Sequence, residues 1–505
     1  MTIADATIVA AFARLWDQPE WAARPALVTA EETVSYADLR RRVGLAAGGL
    51  RAAGVAPGDY VGVAMERALA QVVSLLGVMA AGACPCPLEP RLSVEETARR
   101  VAAVGLTWML ADADNAATAS ACGLPEARVL DAAKVASNVA SNVASNTPGW
   151  AGADIAPQAP GLLLFTSGST GNPKGVLLSH QGLVNNARGV LAHTGLTPSD
   201  RLLHVMPLHH TNALNNQIFT PLLAGVSVAL AGRFRAQDMP GLLDAFRPTI
   251  ITGVPTMYAR MLELTFDPDS LAGLRFARCG SAPITEALHR RIEAFLGCPL
   301  VVSYGLSEAT CTSTMNPPDA RRVGSVGTVL QGQDVTLRLP DGSVAPAGAE
   351  GEICIAGDSL MLGYLGVDSA DAGAPTLLRT GDLGRFDAQG YLTITGRIKD
   401  VIIRGGENIS PALIEGVVTG MPGIAACCVV GAPDDDLGET PVIFVQRNGE
   451  TAPDAAAIQA EVLARLGRIY VPRDVYLIDR LPENAVGKVD RKALARQAAT
   501  RETVQ

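Results

Sequence analysis

The sequence predicts an α/β protein, with a large N-terminal domain of two α/β layered subdomains plus a small β-rich unit, and a small α+β C-terminal domain. Three observations predict it. At 505 residues the chain is long enough for about three structural units. Hydrophobic residues make up 48% and charged residues 18%, without long blocks of one sign, which is the balance of a chain that buries a core. Amphipathic stretches of helical period alternate with short apolar runs bounded by glycine, as layered α/β domains require.

Taken in order, helical stretches at 36–53 and 68–81 flank an apolar run at 60–63, giving the first layer. From 162 to about 300 the alternation returns, with strands at 226–230 and 250–252 and helices at 239–246 and 257–264. Between 324 and 396 short strands (335–339, 351–356, 391–395) and Gly/Asp turns predict the β-rich unit. Beyond it, helices at 411–419 and 454–466 and strands at 425–430 and 441–445 predict the compact tail. The expected division is 1–398 and 399–505.

Lys plus Arg total 41 against 50 Asp plus Glu, a net charge of −9 with no basic stripe, so nucleic acid is not an expected partner. The most apolar stretch, 68–84, contains Gln71, Ser74, Gly77 and Gly82 and is shorter than the roughly 20 residues of a membrane helix. It reads as a buried helix running into a turn, and no integral membrane segment is expected. Arg14 and Trp16-Asp17 break the first apolar run too early for a signal peptide, so a cytoplasmic location is expected. The nine cysteines form no C-x-x-C pair and no zinc-like cluster with histidine, and read as reduced core thiols. A tandem Val-Ala-Ser-Asn repeat, present three times over 135–146, is too short a period for a solenoid and reads as an expanded surface loop.

The strongest local pattern is Thr166-Ser167-Gly168-Ser169-Thr170-Gly171-Asn172-Pro173-Lys174-Gly175, set between apolar runs. Its glycines permit positive φ, its hydroxyls offer donors, and successive backbone N–H groups in such a turn can cradle an anion. Lys174 is followed by Gly175 rather than Ser or Thr, so this is not a Walker A loop, and no G-x-G-x-x-G run replaces it. By residue type alone a polyphosphate cradle and a hydroxyl-rich hairpin loop remain open.

Together with an ordered series of further segments, this one resembles the adenylate-forming (ANL) superfamily of acyl-CoA synthetases, nonribosomal adenylation domains and luciferases, over about 34–494. The resemblance implies that Thr166, Ser167, Gly168, Ser169, Thr170, Gly171 and Lys174 form a phosphate loop for ATP. Gly280, Ser281, Ala282 and Pro283 are similar to the segment beside adenine. Tyr304, Gly305, Leu306, Ser307 and Glu308 resemble the segment whose Tyr stacks near the base and whose Glu helps hold Mg²⁺, with Ser307 standing where Thr is usual. Thr380-Gly381-Asp382 is similar to the motif whose Asp accepts from both ribose hydroxyls, and Arg397 supplies a second ribose contact.

The same resemblance makes Lys488 the catalytic lysine, bridging the attacking carboxylate and the α-phosphate. It makes Lys399 the hinge about which a mobile C-terminal domain rotates, bringing Gly405, Gly406 and Glu407 to the thiol tunnel. It places His210 rather than His209 at the gate of an acyl pocket that includes Thr211, Asn212, Val254, Gly280 and Gly305. Leu413 stands where Glu is frequent, and Leu377-Leu378-Arg379 replaces a usual Gly-Trp before Thr380.

The pocket expected from the family also includes Asn215, Asn216, Met257, Cys279, Ser281, Ser303 and 310–312, and it holds no aromatic residue, which favours a short, medium-chain or polar acid. Arg278 is expected to face outward, leaving a dicarboxylate the minority reading. The implied activity is an ATP-dependent carboxylic acid–CoA ligase that forms an acyl-adenylate and releases AMP and pyrophosphate, using ATP, Mg²⁺ and coenzyme A. Alternatives are an enzyme charging a separate carrier-protein phosphopantetheine, with no carrier domain expected after residue 494, and a non-catalytic nucleotide-binding protein. Luciferase chemistry is not specifically indicated. A homodimer is compatible with the sequence.

Overall fold

The computed structural model describes residues 6–66, 68–90, 92–137, 155–166, 173–366, 373–405, 407–434, 436–448, 453–483 and 489–501. A nine-stranded sheet forms the centre of the large domain. Its parallel part runs, in spatial order, through Leu300–Tyr304, Phe276–Cys279, Ile250–Gly253, Arg201–His204, Ser227–Leu230 and Pro25–Val28. These strands are mostly apolar because both faces of the sheet are covered, one by each of two buried clusters: Phe276 and Ile250 belong to one, Ala277 and Ile251 to the other.

A second, four-stranded parallel sheet is built from Cys84–Pro87, Tyr60–Ala64, Trp108–Ala111 and Val129–Asp131. Helices Tyr36–Ala52 and Leu69–Ala80 pack on each other beside it, and an added Cβ at Gly77 would stand 2.6 Å from the Cβ of Ala46. The first helix starts where the Ser35 hydroxyl accepts from the Asp38 backbone N–H, a cap that satisfies one of its orphan donors. His180–Thr194 is delimited in the same manner by Ser179 at its start and by Gly195, at φ +57°, at its end.

Two departures from the sequence reading concern sheet membership. The apolar runs at 162–165 and 176–178 do not enter the large parallel sheet; Pro160–Thr166 and Lys174–Ser179 pair antiparallel, with Gly363–Leu365 as third strand. A parallel pair needs a crossover of a dozen or more residues, and the connection here is too short for one. Conversely, Pro25–Val28 precedes the first layer in sequence but joins the sheet of the second. In the Val-Ala-Ser-Asn repeat, Val135 and the next two residues close the helix Ala132–Ser137 instead of lying in a loop, and the remainder falls outside the described residues.

The β-rich unit is a four-stranded antiparallel sheet of Asp334–Arg338, Glu350–Ala356, Leu378–Phe386 and Leu392–Arg397. The small C-terminal domain has a five-stranded sheet led by the long hairpin Ile424–Asp434/Gly438–Arg447, with helices Pro411–Thr419, Ala455–Leu466 and Arg491–Arg501 around it. All nine cysteines are free and seven are buried, as expected of core thiols. Among the described residues no helix is long and apolar enough to cross a membrane.

Candidate functional site

The hairpin Pro160–Thr166/Lys174–Ser179 sets Thr166 opposite Lys174. Ser167, Gly168, Ser169, Thr170 and Gly171 lie outside the described residues. Strand Gly363–Leu365 extends the hairpin and carries Tyr364, which joins two of the predicted residues. Its hydroxyl donates to Glu308 Oε1 at 2.8 Å, and Lys174 Nζ lies 5.6 Å from the centroid of its ring. A cation at that range is held by the quadrupole of the ring. Glu308 itself sits in the turn Ser307–Ala309 beyond the end of a parallel strand, with its backbone carbonyl accepting from the Met361 N–H at 2.8 Å. Ligands of open α/β sheets gather at such carboxyl ends.

A second cluster forms at the β-rich unit. Asp382 and Arg397 are cross-strand partners, and the Asp382 carboxylate accepts from Arg397 Nε and, at 2.8 Å, from the Tyr304 hydroxyl. Asp382 is only 5% exposed. Burial, reinforced by Asp382, pushes the Tyr304 phenol well above its ordinary range, so it remains a donor at neutral pH. Buried Glu352 holds the turn from behind: Oε1 accepts from the Gly381 N–H at 3.1 Å and Oε2 from Arg379 Nε at 2.7 Å. The three residues matched to the nucleotide from separate segments thus converge.

Between these clusters the strand ends are shaped by backbone constraints. Ser281, beside Gly280, Ala282 and Pro283, has φ +66°, and Thr310 and Cys311 have φ +54° and +92°. Gly305 is required by close approach, since an added Cβ would lie 1.9 Å from the Cys311 carbonyl oxygen. Thr211 donates to Ser307 Oγ at 2.8 Å and precedes a π-helical segment, Asn212–Phe219. Such segments occur frequently at functional sites. His209 and His210 have ring centroids 4.4 Å apart. Burial, with the Arg100 and Arg233 charges, lowers the His209 pKa to about 4, so that imidazole is neutral. Val254 is half-buried just past the strand Ile250–Gly253.

Arg278 corrects the expectation that it faces outward. It is 3% exposed and its Nη1 donates inward to the Asn216 carbonyl at 3.2 Å. The reason is register: on the same face as Phe276, Arg278 looks toward the π-helical segment rather than toward solvent.

In the C-terminal domain Lys399 lies in the exposed turn Ile398–Asp400. Gly405, at φ +58°, belongs to a tight hairpin turn in which Arg404 pairs with Glu407, so a further strand, Glu407–Ile409, stands between the turn and the helix Pro411–Thr419. Gly406 and Lys488 lie outside the described residues. On either side of 484–488, Glu483 and Val489 form a bridge and the Asp490 N–H donates to the Pro482 carbonyl at 2.8 Å. Arg491 donates through Nη2 to both oxygens of Glu415, at 2.7 and 2.8 Å.

Tyr364 and Glu352 were not reached from sequence. Neither sits inside a recognisable motif, and both act across strand pairings that local patterns do not reveal. The one available signal was a Glu adjoining the apolar run 353–356, because a carboxylate drawn into a core strand needs partners.

The sequence profile of the AMP-binding enzyme family matches residues 16–365, and that of the AMP-binding enzyme C-terminal domain matches 413–488. Feruloyl-CoA synthase of Amycolatopsis sp is 35% identical over 470 residues, covering 90% of this chain and 92% of that protein. Sulfoacetate–CoA ligase of Cupriavidus necator is 39% identical over 349 residues, 68% of each chain. Among solved structures, ATP-bound MatB from Rhodopseudomonas palustris superposes with a TM-score of 0.86 at 30% identity, covering 97% of this chain and 98% of that one.

Proposed function

The chain belongs to the AMP-binding enzyme family and is an AMP-forming acid–CoA ligase, and on that premise we propose how its residues divide the reaction. In the first half-reaction the acid carboxylate attacks the α-phosphate of ATP, forming an acyl-adenylate and expelling pyrophosphate. In the second, the thiolate of coenzyme A attacks the acyl carbon and AMP leaves. Adenylation makes the second step feasible because it turns a carboxylate oxygen into part of a good leaving group.

The observation that carries this reading is the junction of Lys174 and Glu308 through Tyr364. It sets one cation and one carboxylate at the mouth of the hydroxyl-rich hairpin, the pair that a polyphosphate and its counter-ion call for. Lys174 and the loop Thr166 to Gly171 would hold the β- and γ-phosphates. Glu308, with Ser307 beside it, would hold Mg²⁺. Among the described residues no group of three or more His, Cys, Asp or Glu could hold a metal, which fits an ion that takes its other ligands from phosphates and water. Its chemistry would be neutralisation of the leaving pyrophosphate.

Asp382 and Arg397 would take the ribose hydroxyls, with Tyr304 and the segment Gly280 to Pro283 beside adenine. Lys488 would bridge the two anions that must meet. Rotation about Lys399, dividing 1–398 from 399–505, would then exchange Lys488 for Gly405, Gly406 and Glu407 along the pantetheine path. His210, Thr211, Asn212 and Val254 would border a pocket for a short, medium-chain or polar acid. The similar proteins named above act on feruloyl and sulfoacetate groups, so kinship leaves the acid open.

The test is release of AMP and pyrophosphate with ATP and Mg²⁺ over short, medium-chain, aryl and dicarboxylic acids, each with and without coenzyme A. Acid-dependent AMP release that requires coenzyme A supports the reading. Pyrophosphate exchange without thioester formation would transfer it to a carrier-protein acceptor.

A further inference from the structure

A guanidinium buried in the large parallel sheet without a counter-ion is costly. Arg278 is 3% exposed, no ion pair to it occurs among the described residues, and its Nε is buried without a hydrogen-bond partner. Its one acceptor among the described residues is the Asn216 carbonyl, at 3.2 Å. Buried arginines ordinarily meet a carboxylate or a full set of acceptors.

The surroundings of Arg278 are polar and also incompletely bonded. Thr252 stands opposite it in register on the adjacent strand, so their side chains share a face, and the Thr252 hydroxyl is buried without a partner. Gln217, fully buried, has neither end of its amide bonded. Asn216 Nδ2 is committed to Thr312 Oγ1 at 2.7 Å and Cys311 Sγ at 3.0 Å, which fixes the carbonyl that Arg278 touches. The Nε of Arg278 and the hydroxyl of Thr252, side by side in register, are therefore two donors without a protein partner among the described residues. Burial also depresses the guanidinium to about 10, against the smaller opposing effects of Cys311 and Tyr258.

We propose that Arg278, with Thr252 beside it, binds a second anionic group at the far end of the acid substrate, so that the enzyme activates short acids bearing a distal carboxylate or sulfonate. The inference rests on the ligase reading above and specifies its substrate. An oxyanion suits the site because it takes two or more donors at once and neutralises the buried charge. The acid is short because Arg278 precedes Gly280 by two strand residues, roughly 7 Å of backbone.

The experiment compares kcat/KM for acids matched in length: succinate, butyrate and 3-sulfopropanoate, then malonate and propionate, by AMP release in the wild type, Arg278→Met and Arg278→Lys. The wild type is expected to favour the distal anion on the order of 100-fold, since leaving a buried charge unpaired carries a penalty of that size. In Arg278→Met the ratio should fall toward 1, and Arg278→Lys should retain part of it. The carboxylate and sulfonate arms identify the preferred group. A wild type that uses butyrate as well as succinate overturns the proposal, and so does an unchanged ratio in Arg278→Met, the result for a purely structural cation. If Arg278→Met does not fold, the wild-type ratio and Arg278→Lys decide. AMP release with neutral acids alone leaves the ligase reading standing and removes this one; no AMP release with any acid removes both.

Discussion

Tyr364 donates to Glu308 Oε1 at 2.8 Å while Lys174 lies against its ring, so one phenol positions two charged groups that arrive from different sheets. Lys174 comes from the antiparallel hairpin and Glu308 from beyond the end of the parallel sheet; Tyr364 is hydrogen-bonded in register to the former. The hydroxyl and the ring have separable effects. Tyr364→Phe keeps the ring under Lys174 and frees Glu308. A hydrogen bond to a charged group contributes about 1.5–3 kcal/mol, so adenylation should slow on the order of 10-fold, with a raised Mg²⁺ requirement. Thermal stability should change little. Pyrophosphate exchange against Mg²⁺ concentration measures this, and an unchanged Mg²⁺ dependence would remove Tyr364 from the ion's environment.

Asp382 accepts from both Tyr304 and Arg397, so a ribose diol must share or replace bonds that already exist. Asp382→Asn keeps the shape but supplies a donor where an acceptor is needed. The expected outcome is a KM for ATP raised about 10-fold or more, with the KM for coenzyme A little affected. Initial-rate kinetics with each substrate varied in turn distinguish this from a general loss of folding, which would lower active enzyme without shifting either KM.

Much of this architecture was legible because local pattern and tertiary role agreed. The strand at 250–252 and the helix at 411–419 emerged from periodicity close to their observed bounds, Ile250–Gly253 and Pro411–Thr419. What escaped was long-range. Nothing local distinguishes Pro160–Thr166 as a hairpin strand from a strand of the parallel sheet, and nothing local places Tyr364 beside Lys174. Arg278 was misjudged because a cation in a short apolar run is normally turned to water. In a strand covered on both faces there is no outward side, and the same burial that hides its charge creates the need for an anion.

Two histidines, His180 buried and His209 half-buried, make stability depend on pH. Burial lowers the His180 pKa from 6.5 to about 4, and its Nδ1 has no hydrogen-bond partner; His209 is likewise near 4, from burial and two arginines. Both are neutral in the folded protein at pH 7. Below pH 6.5 the unfolded chain takes up protons that the folded one refuses, so stability falls as pH decreases and the loss levels off below about 4. For His180 alone the full effect is of order 3 kcal/mol. Thermal midpoints between pH 4 and 8 should therefore decline steadily on the acid side of 6.5, and His180→Gln should flatten that decline even if its midpoint at pH 7 is lower. An equal slope in the variant would assign the acid sensitivity to other groups.

Glu483, Val489 and Arg491, which flank residues 484–488 in sequence, are held by a bridge and by the Arg491–Glu415 pair, neither of which uses the side chain of Lys488. Lys488→Ala leaves the Arg491–Glu415 anchor intact, so the C-terminal domain should fold with unchanged thermal stability. The lysine is proposed to act only where a carboxylate meets the α-phosphate, and no such encounter occurs when thiolate attacks an acyl-adenylate already formed. Adenylation should drop by about 100-fold or more, the scale reached when a positioned electrostatic group is removed from a transition state. Thioester formation from synthetic acyl-adenylate and coenzyme A should remain within a few-fold of the wild type. Measuring both half-reactions in one preparation decides the matter: equal loss in the two would mean that the residue serves the fold or domain rotation, not the meeting of two anions.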